Sequence, residues 1–245
     1  PEDRMLAILG LCDLDALIVT SDGDKLLTPR LLAACPPVLM HLGPPTAHKL
    51  GTPAQQWVQP QAPPMGEAPA PLAMASQDPA YIIFTSGTTG VPKGAVHTQA
   101  ALLANARASA WAHDFVEVDK VLSTLPMFHV GGLCIQTLPA LLAGVQVVLH
   151  PRFDPTAWLH EMTTSRPTLS LLVPATMRAV FEHPRWADTS LACLRGIMTG
   201  SSTVPVAYLQ MLHARGVPVG QVYGTTETGP VSIVLRLPDA MARVG

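Results

Sequence analysis

The sequence predicts an α/β protein built on mostly parallel sheets flanked by helices. Three observations carry that reading. Short β-branched runs alternate with helix-length stretches along most of the chain. Prolines open several of the helix-length stretches, as at Pro29, Pro155, Pro174 and Pro205. The 245 residues, 48% of them hydrophobic and 13% charged, suffice for a large buried core and exclude a disordered chain. Alternation of this kind means βαβ crossovers and parallel pairing.

Each element follows from local chemistry. The run Ala16–Thr20 reads as a strand, Thr28 caps a short helix with Pro29 at its first position, and residues 37–41 read as a second strand. Eleven of the 25 prolines fall between Pro36 and Pro79, and residues 60–71 can form neither helix nor central strand. The expected organisation is a partial N-terminal α/β subdomain over 1–59, a proline-rich linker over 60–77 and a second α/β subdomain over 78–245. Residues 81–85 form a continuous apolar run, expected to be buried on both faces. Strands are expected at 121–125, 145–149, 168–173, 194–198 and 217–223. Helices are expected at 98–112, 132–143, 154–164, from Pro174, and at 205–215.

Composition excludes several functions. Fifteen Lys and Arg against 17 Asp and Glu give a formal charge of −2, which speaks against a nucleic-acid partner. Cys12, Cys35, Cys134 and Cys193 form no CxxC pair, so neither a zinc site nor a disulfide framework is indicated and a reducing, cytoplasmic location is the simplest reading. The first residues lack a basic and then apolar leader. The apolar window 133–149 contains Gln136, Pro139, Gly144 and Gln146, and reads as a buried helix followed by a strand, with no transmembrane segment.

The strongest motif follows the strand at 81–85. Thr85, Ser86, Gly87, Thr88, Thr89, Gly90 and Lys93 fall within ten residues. Glycines let backbone N–H groups turn inward, and hydroxyls and a lysine add donors, as a polyphosphate cradle needs. Val91 and Pro92 stand between the last loop glycine and Lys93, so this is not a Walker A loop.

This string resembles the signature of the adenylate-forming superfamily, which includes the acyl- and aryl-CoA synthetases. Residues 126–132, containing His129, resemble that family's P-x-F-H segment. Gly200, Ser201 and Ser202 resemble its strand end beside adenine. The run Gln221, Val222, Tyr223, Gly224, Thr225, Thr226, Glu227 resembles Q-G-Y-G-x-T-E. The resemblance implies an acid–thiol ligase using ATP, which leaves as AMP, with Mg²⁺, coenzyme A as co-substrate and a small-molecule carboxylic acid. It implies that Thr85 to Gly90 and Lys93 hold phosphates and that Thr226 donates to the α-phosphate. Glu227 would bind Mg²⁺. Tyr223 would stack on adenine, with Gly200, Ser201, Ser202, Gln221 and Val222 around the base. His129 would sit beside the reacting carboxylate, and Arg152 near the coenzyme.

The sequence also departs from the family. Thr203 and Val222 replace a common proline and glycine, and no Thr-Gly-Asp motif follows Glu227. The chain is therefore expected to be a central piece of a longer ligase, without its C-terminal domain and inactive alone. A peptide-synthetase-type adenylation unit and a non-catalytic nucleotide-binding remnant stay open as alternatives. His129 stands where adenylation units usually carry aspartate, which argues against the first. A homodimer also stays open.

Overall fold

The computed structural model describes residues 2–20, 26–42, 56–58, 73–87 and 90–243. The proline-rich stretch 60–71 and the loop residues Thr88 and Thr89 lie outside these. The chain divides into two compact units: residues 1–74 with 84–94, and residues 75–83 with 95–245.

In the first unit, α1 (Glu2–Leu11), β1 (Ala16–Thr20), α2 (Pro29–Ala34), β2 (Val38–Leu42) and β3 (Gln56–Val58) build a three-stranded parallel sheet in the order β1-β2-β3. Thr28 caps α2 by accepting from the Leu31 N–H at 3.2 Å, as its place before Pro29 predicts. Val19, Leu27, Leu32 and Leu39 form the core. Helix α1 and strand β3 carry no pattern that the sequence reading used, and both are additions.

The hairpin β4 (Pro79–Thr85) and β5 (Lys93–Thr98) forms a separate two-stranded sheet. Here the expectation of a strand buried on both faces is corrected. Ile83 is buried but Ile82 is 50% exposed, because a two-stranded ribbon has no second sheet face to cover it. Strand β5 was also missed, since its Lys-Gly start resembles loop.

The second unit is organised by a six-stranded sheet in the order β11-β10-β9-β8-β6-β7. Its strands are β6 (Lys120–Ser123), β7 (Gln146–Leu149), β8 (Leu169–Leu171), β9 (Gly196–Gly200), β10 (Val219–Thr225) and β11 (Gly229–Leu235). All neighbours are parallel except β10 and β11. The sheet is thus parallel as expected, with one antiparallel edge strand that the sequence reading did not place. Helices α6 (Pro155–Glu161), α7 (Pro174–Phe181) and α8 (Val206–His213) make the crossovers from β7 to β10, the segment 130–142 crosses from β6 to β7, and α3 (Gln99–His113) leads from β5 into β6. Trp158, Leu159, Met177, Val180, Ile197, Leu209 and Leu212 form one core cluster, and Val121, Ile135, Leu169, Met198 and Val222 belong to another.

The single helix expected over 132–143 is instead three pieces: α4 (Val130–Gly132), a π-helical turn (Leu133–Thr137) and α5 (Leu138–Leu142). Side chains accept the cost of the wide turn by serving its carbonyls. The Thr137 hydroxyl donates to the Gly132 carbonyl at 2.7 Å, Asn105 Nδ2 to the Cys134 carbonyl at 2.8 Å, and the Ser109 hydroxyl to the Ile135 carbonyl. Two of these donors sit on α3, so periodicity within 132–143 could not reveal them.

The far end of α3 is pinned by a buried ion pair. Asp119 is almost fully buried and meets Arg195 Nη2 at 2.6 Å, while the same guanidinium donates to the His113 and Asp114 carbonyls. Burial pushes the Asp119 carboxyl up, but hydrogen bonds from Arg195, Thr168 and the Val116 N–H together hold it below its ordinary value. Next to it His113 is fully buried and stacks on Phe115 at 4.9 Å. Burial, aided by the Arg195 charge, lowers its pKa to about 4. The ring is therefore neutral when folded and takes a proton more easily when unfolded. Stability from this group is complete above about pH 6.5 and is lost as the pH falls toward 4. Chemical denaturation at pH 7 and pH 5 should show His113→Phe losing less stability on acidification than the parent, by about 2 kcal/mol. An unchanged acid loss contradicts this assignment.

Candidate functional site

Parallel strands release their chains at one edge of the sheet, and ligands of α/β proteins gather there where the crossover direction reverses. In this sheet the reversal lies at β6, which leads to β7 on one side while β8 returns on the other. The loop that leaves β6 carries His129, the loop that leaves β9 carries Ser201 and Ser202, and the turn that leaves β10 carries Thr226 and Glu227.

These loops wall two small adjoining cavities. One, of about 210 Å³, lies between the ends of β6, β8 and β9 and includes Leu125, Phe128, His129, Leu171, Val173, Gly200 and Ser201. The other, of about 170 Å³, includes His129, Gly131, Ser201, Val222, Gly224, Thr225 and Thr226. His129 and Ser201 belong to both. The first is lined mainly by apolar side chains, whereas the second adds the threonine hydroxyls.

His129 caps α4. Its Nδ1 accepts from the Gly131 N–H at 2.9 Å, so the neutral ring carries its proton on Nε2. That leaves an exposed ring whose Nε2–H has no partner among the described residues. The Thr226 hydroxyl is likewise uncommitted. Its neighbours are not: Thr225, Thr228 and Ser232 form a hydroxyl network at 2.9 to 3.1 Å that braces the turn between β10 and β11. Thr228 and Ser232 were missed by sequence reasoning, and only their place in a predicted turn hints at them.

A larger cavity of about 830 Å³ runs along β9 to β11. It is lined by Gly200, Ser201, Ser202, Gln221, Val222, Tyr223 and Gly224, together with Thr203, Ile233 and Arg243. Every residue expected around the adenine base thus meets here. Tyr223 is 64% exposed and lies inside β10, so it is no core residue. Arg243 was not anticipated and offers a cation on the same wall. Gly200 has a steric reason: a Cβ there would stand 2.4 Å from the Val222 carbonyl oxygen. The next residue, Ser201, has a positive φ of 75°, which costs a non-glycine residue about 1 kcal/mol.

Other expected residues lie elsewhere. Arg152 lines a further cavity of about 790 Å³ with His150, Phe153 and Thr176, which adjoins the 210 Å³ cavity through the shared Leu125, Phe128 and Val173. Lys93, Thr85, Ser86, Gly87 and Gly90 belong to the first unit, while Glu227 belongs to the second. Within the loop, Gly87 has φ +61°, and a Cβ there would meet the Val91 carbonyl oxygen at 2.3 Å, so the tight turn requires glycine. The Thr85 hydroxyl donates to the Lys93 carbonyl at 3.4 Å.

No group of three metal-ligating side chains occurs among the described residues. The donor set still suits Mg²⁺ in one way. This ion commonly takes one or two protein carboxylates and completes its shell with water and substrate phosphates. Glu227 offers one exposed carboxylate with no protein partner among the described residues. No helix among the described residues is long and apolar enough to cross a membrane.

A mostly parallel α/β sheet with cavities at the carboxyl ends of its strands defines the class of fold. The chain belongs to the AMP-binding enzyme family, which it matches over residues 1–245. It is 41% identical over 234 residues to indoleacetate–CoA ligase of Aromatoleum aromaticum, covering 88% of this chain and 46% of that protein. Over 179 residues it is 34% identical to feruloyl-CoA synthase of an Amycolatopsis species, covering 73% of this chain and 36% of the relative. Among solved structures it resembles the N-terminal domain of FACL13 from Mycobacterium tuberculosis, with a TM-score of 0.74 at 22% identity, covering 100% of this chain and 72% of that one. The chain thus spans less than half the length of these two curated relatives.

The packing at Gly200 yields a prediction. Gly200→Ala should lower unfolding stability by roughly 1–3 kcal/mol, because the added Cβ would stand 2.4 Å from a backbone oxygen of β10, which must shift to make room. A melting curve unchanged from the parent would show that β9 and β10 can part there.

Proposed function

We propose that this chain carries the nucleotide- and acid-binding part of an ATP-dependent acid–thiol ligase. In the first step a carboxylate oxygen bonds to the α-phosphorus of ATP. The bond to the bridging oxygen breaks and pyrophosphate leaves. In the second step the sulfur of coenzyme A bonds to the acyl carbon and AMP leaves. The observation that best supports this reading is that His129, Ser201 and Thr226 wall one cavity beside the space lined by Gln221, Val222 and Tyr223. The family match supports it independently.

The chemical obstacle is charge. A carboxylate must approach an anionic phosphate, so catalysis rests on alignment and on donors aimed at the developing charge. The Thr226 hydroxyl would donate to the α-phosphate, and His129 Nε2–H to a carboxylate or phosphate oxygen. Lys93 and the hydroxyls of Thr85, Ser86, Thr88 and Thr89 would hold the outer phosphates. Glu227 would give a bound Mg²⁺ its protein oxygen, and that ion would offset phosphate charge. Tyr223 would stack on the base, and Arg152 would meet coenzyme A. The two relatives carry the names of aryl acids, indoleacetate and ferulate, which supports an aryl acid as substrate here.

The test is acid-dependent ATP–pyrophosphate exchange by the longer protein that contains this chain. We expect exchange with members of a panel of aryl and fatty acids, and a fall in kcat of about 10²- to 10³-fold in Thr226→Val and Glu227→Gln. No exchange with any acid contradicts the reading. The 245-residue chain by itself is expected to bind ATP weakly and to form no acyl-CoA, and thioester formation by the chain alone would overturn that part.

A further inference from the structure

The cavity of about 210 Å³ that His129 and Ser201 line has a buried floor and an exposed rim. Ile135 and Leu171 are buried and belong to the floor. Phe128 stands at the rim and is 83% exposed; of the large apolar side chains among the described residues only Val118 is as bare. Single exposed apolar side chains are common on folded chains and mean little by themselves. Phe128 differs in its place. It borders this cavity next to His129, and it borders the adjoining cavity of about 790 Å³ as well. The backbone that presents it is fixed. The His129 N–H donates to the Pro126 carbonyl at 3.2 Å, and a Cβ on Gly132 would stand 2.1 Å from that same oxygen. An aromatic ring is thus held at the mouth of a cavity with most of its surface in water.

The cavity is polar at one end only. Its polar side chains are His129 and Ser201, and both also line the 170 Å³ cavity that contains Thr226. The rest of the wall is leucine, isoleucine, valine, proline and phenylalanine side chains with glycine backbone. An apolar cavity of about 150 Å³ can hold benzene. A cavity of about 210 Å³ therefore has room for one aromatic ring with a short arm that leads to the polar end.

We propose that Phe128 binds the acid: an aryl acid lies in this cavity with its carboxylate toward His129 and Ser201, and Phe128 covers the outer part of its ring. The inference rests on the ligase reading above and adds a specificity-determining residue to it. Binding takes the Phe128 ring and the acid's ring out of water together, and two aromatic rings gain further from offset or edge-to-face contact. A saturated ring of similar size gains the burial without the aromatic contact. A short acid such as acetate gains neither.

The test compares phenylacetate with cyclohexylacetate. Their binding to the chain is measured by ligand-detected NMR titration, for the parent and for Phe128→Ala and Phe128→Leu. We expect phenylacetate to bind about tenfold more weakly to Phe128→Ala than to the parent. In Phe128→Leu, which keeps an apolar side chain, phenylacetate should lose about threefold while cyclohexylacetate changes by less than about twofold. The melting temperature of Phe128→Ala should match the parent's, because the ring is exposed. Unchanged phenylacetate binding in Phe128→Ala, equal losses of both acids in Phe128→Leu, or no binding of phenylacetate to the parent would each overturn the proposal. A fall in melting temperature that accompanies the lost binding would give Phe128 a structural role and overturn it too. Pyrophosphate exchange by the longer protein separates the two claims. Exchange with aryl acids at the same KM in Phe128→Ala leaves the ligase standing and removes the role of Phe128, whereas aryl binding that depends on Phe128 without exchange upholds the contact and removes the ligase.

Discussion

Everything in the second unit depends on where parallel pairing leaves the strand ends. Strands β6 to β10 run the same way, so their carboxyl ends lie along one edge. The connection from β6 leaves toward β7 while β8 takes the other flank, which opens a crevice that no crossover fills. His129, Ser201 and Thr226 are far apart in sequence and meet because each follows a different strand into that crevice. A residue of the right chemistry placed at a strand's amino end would have been lost to the opposite edge.

Close packing then fixes the edge. Strands β9 and β10 approach so nearly at Gly200 that a methyl group would overlap the Val222 carbonyl. The chain leaves β9 through Ser201 with a positive φ, turning that residue into a wall shared by three cavities. Backbone strain of this kind persists only where the surroundings impose it, and it is concentrated at sites that hold ligands. The hydroxyl network of Thr225, Thr228 and Ser232 does the same for the next loop by spending its own donors, and it leaves the Thr226 hydroxyl free. The π turn after His129 has a related effect, since its carbonyls are tied to Asn105 and Ser109 on α3.

Much of this was legible in the sequence, and what was not has physical reasons. Helix α6 was readable because Asp154 and Pro155 mark its start, and the Asp154 carboxylate does accept from the Ala157 N–H at 2.8 Å. The base-lining residues 200–202 and 221–224 were readable because motif residues stayed together at strand ends. Strand β11 escaped notice because its start, Gly229-Pro230, looks like loop and its pairing with β10 is bulged near Tyr223. The π turn escaped because partners on α3 stabilise it. Lys93 and its loop are a different case, since their chemistry was plain from composition while their role depends on a nucleotide.

The central claim is that the strand-end residues around Tyr223 and Thr226 in the second unit hold an adenine nucleotide. The most direct measurement is hydrogen exchange of the chain with and without saturating ATP and Mg²⁺. The account predicts slowed exchange in residues 199–203 and 221–227 together, with little change at the distant β6–β7 amino ends. Protection of only one of these groups, or of none, would contradict it.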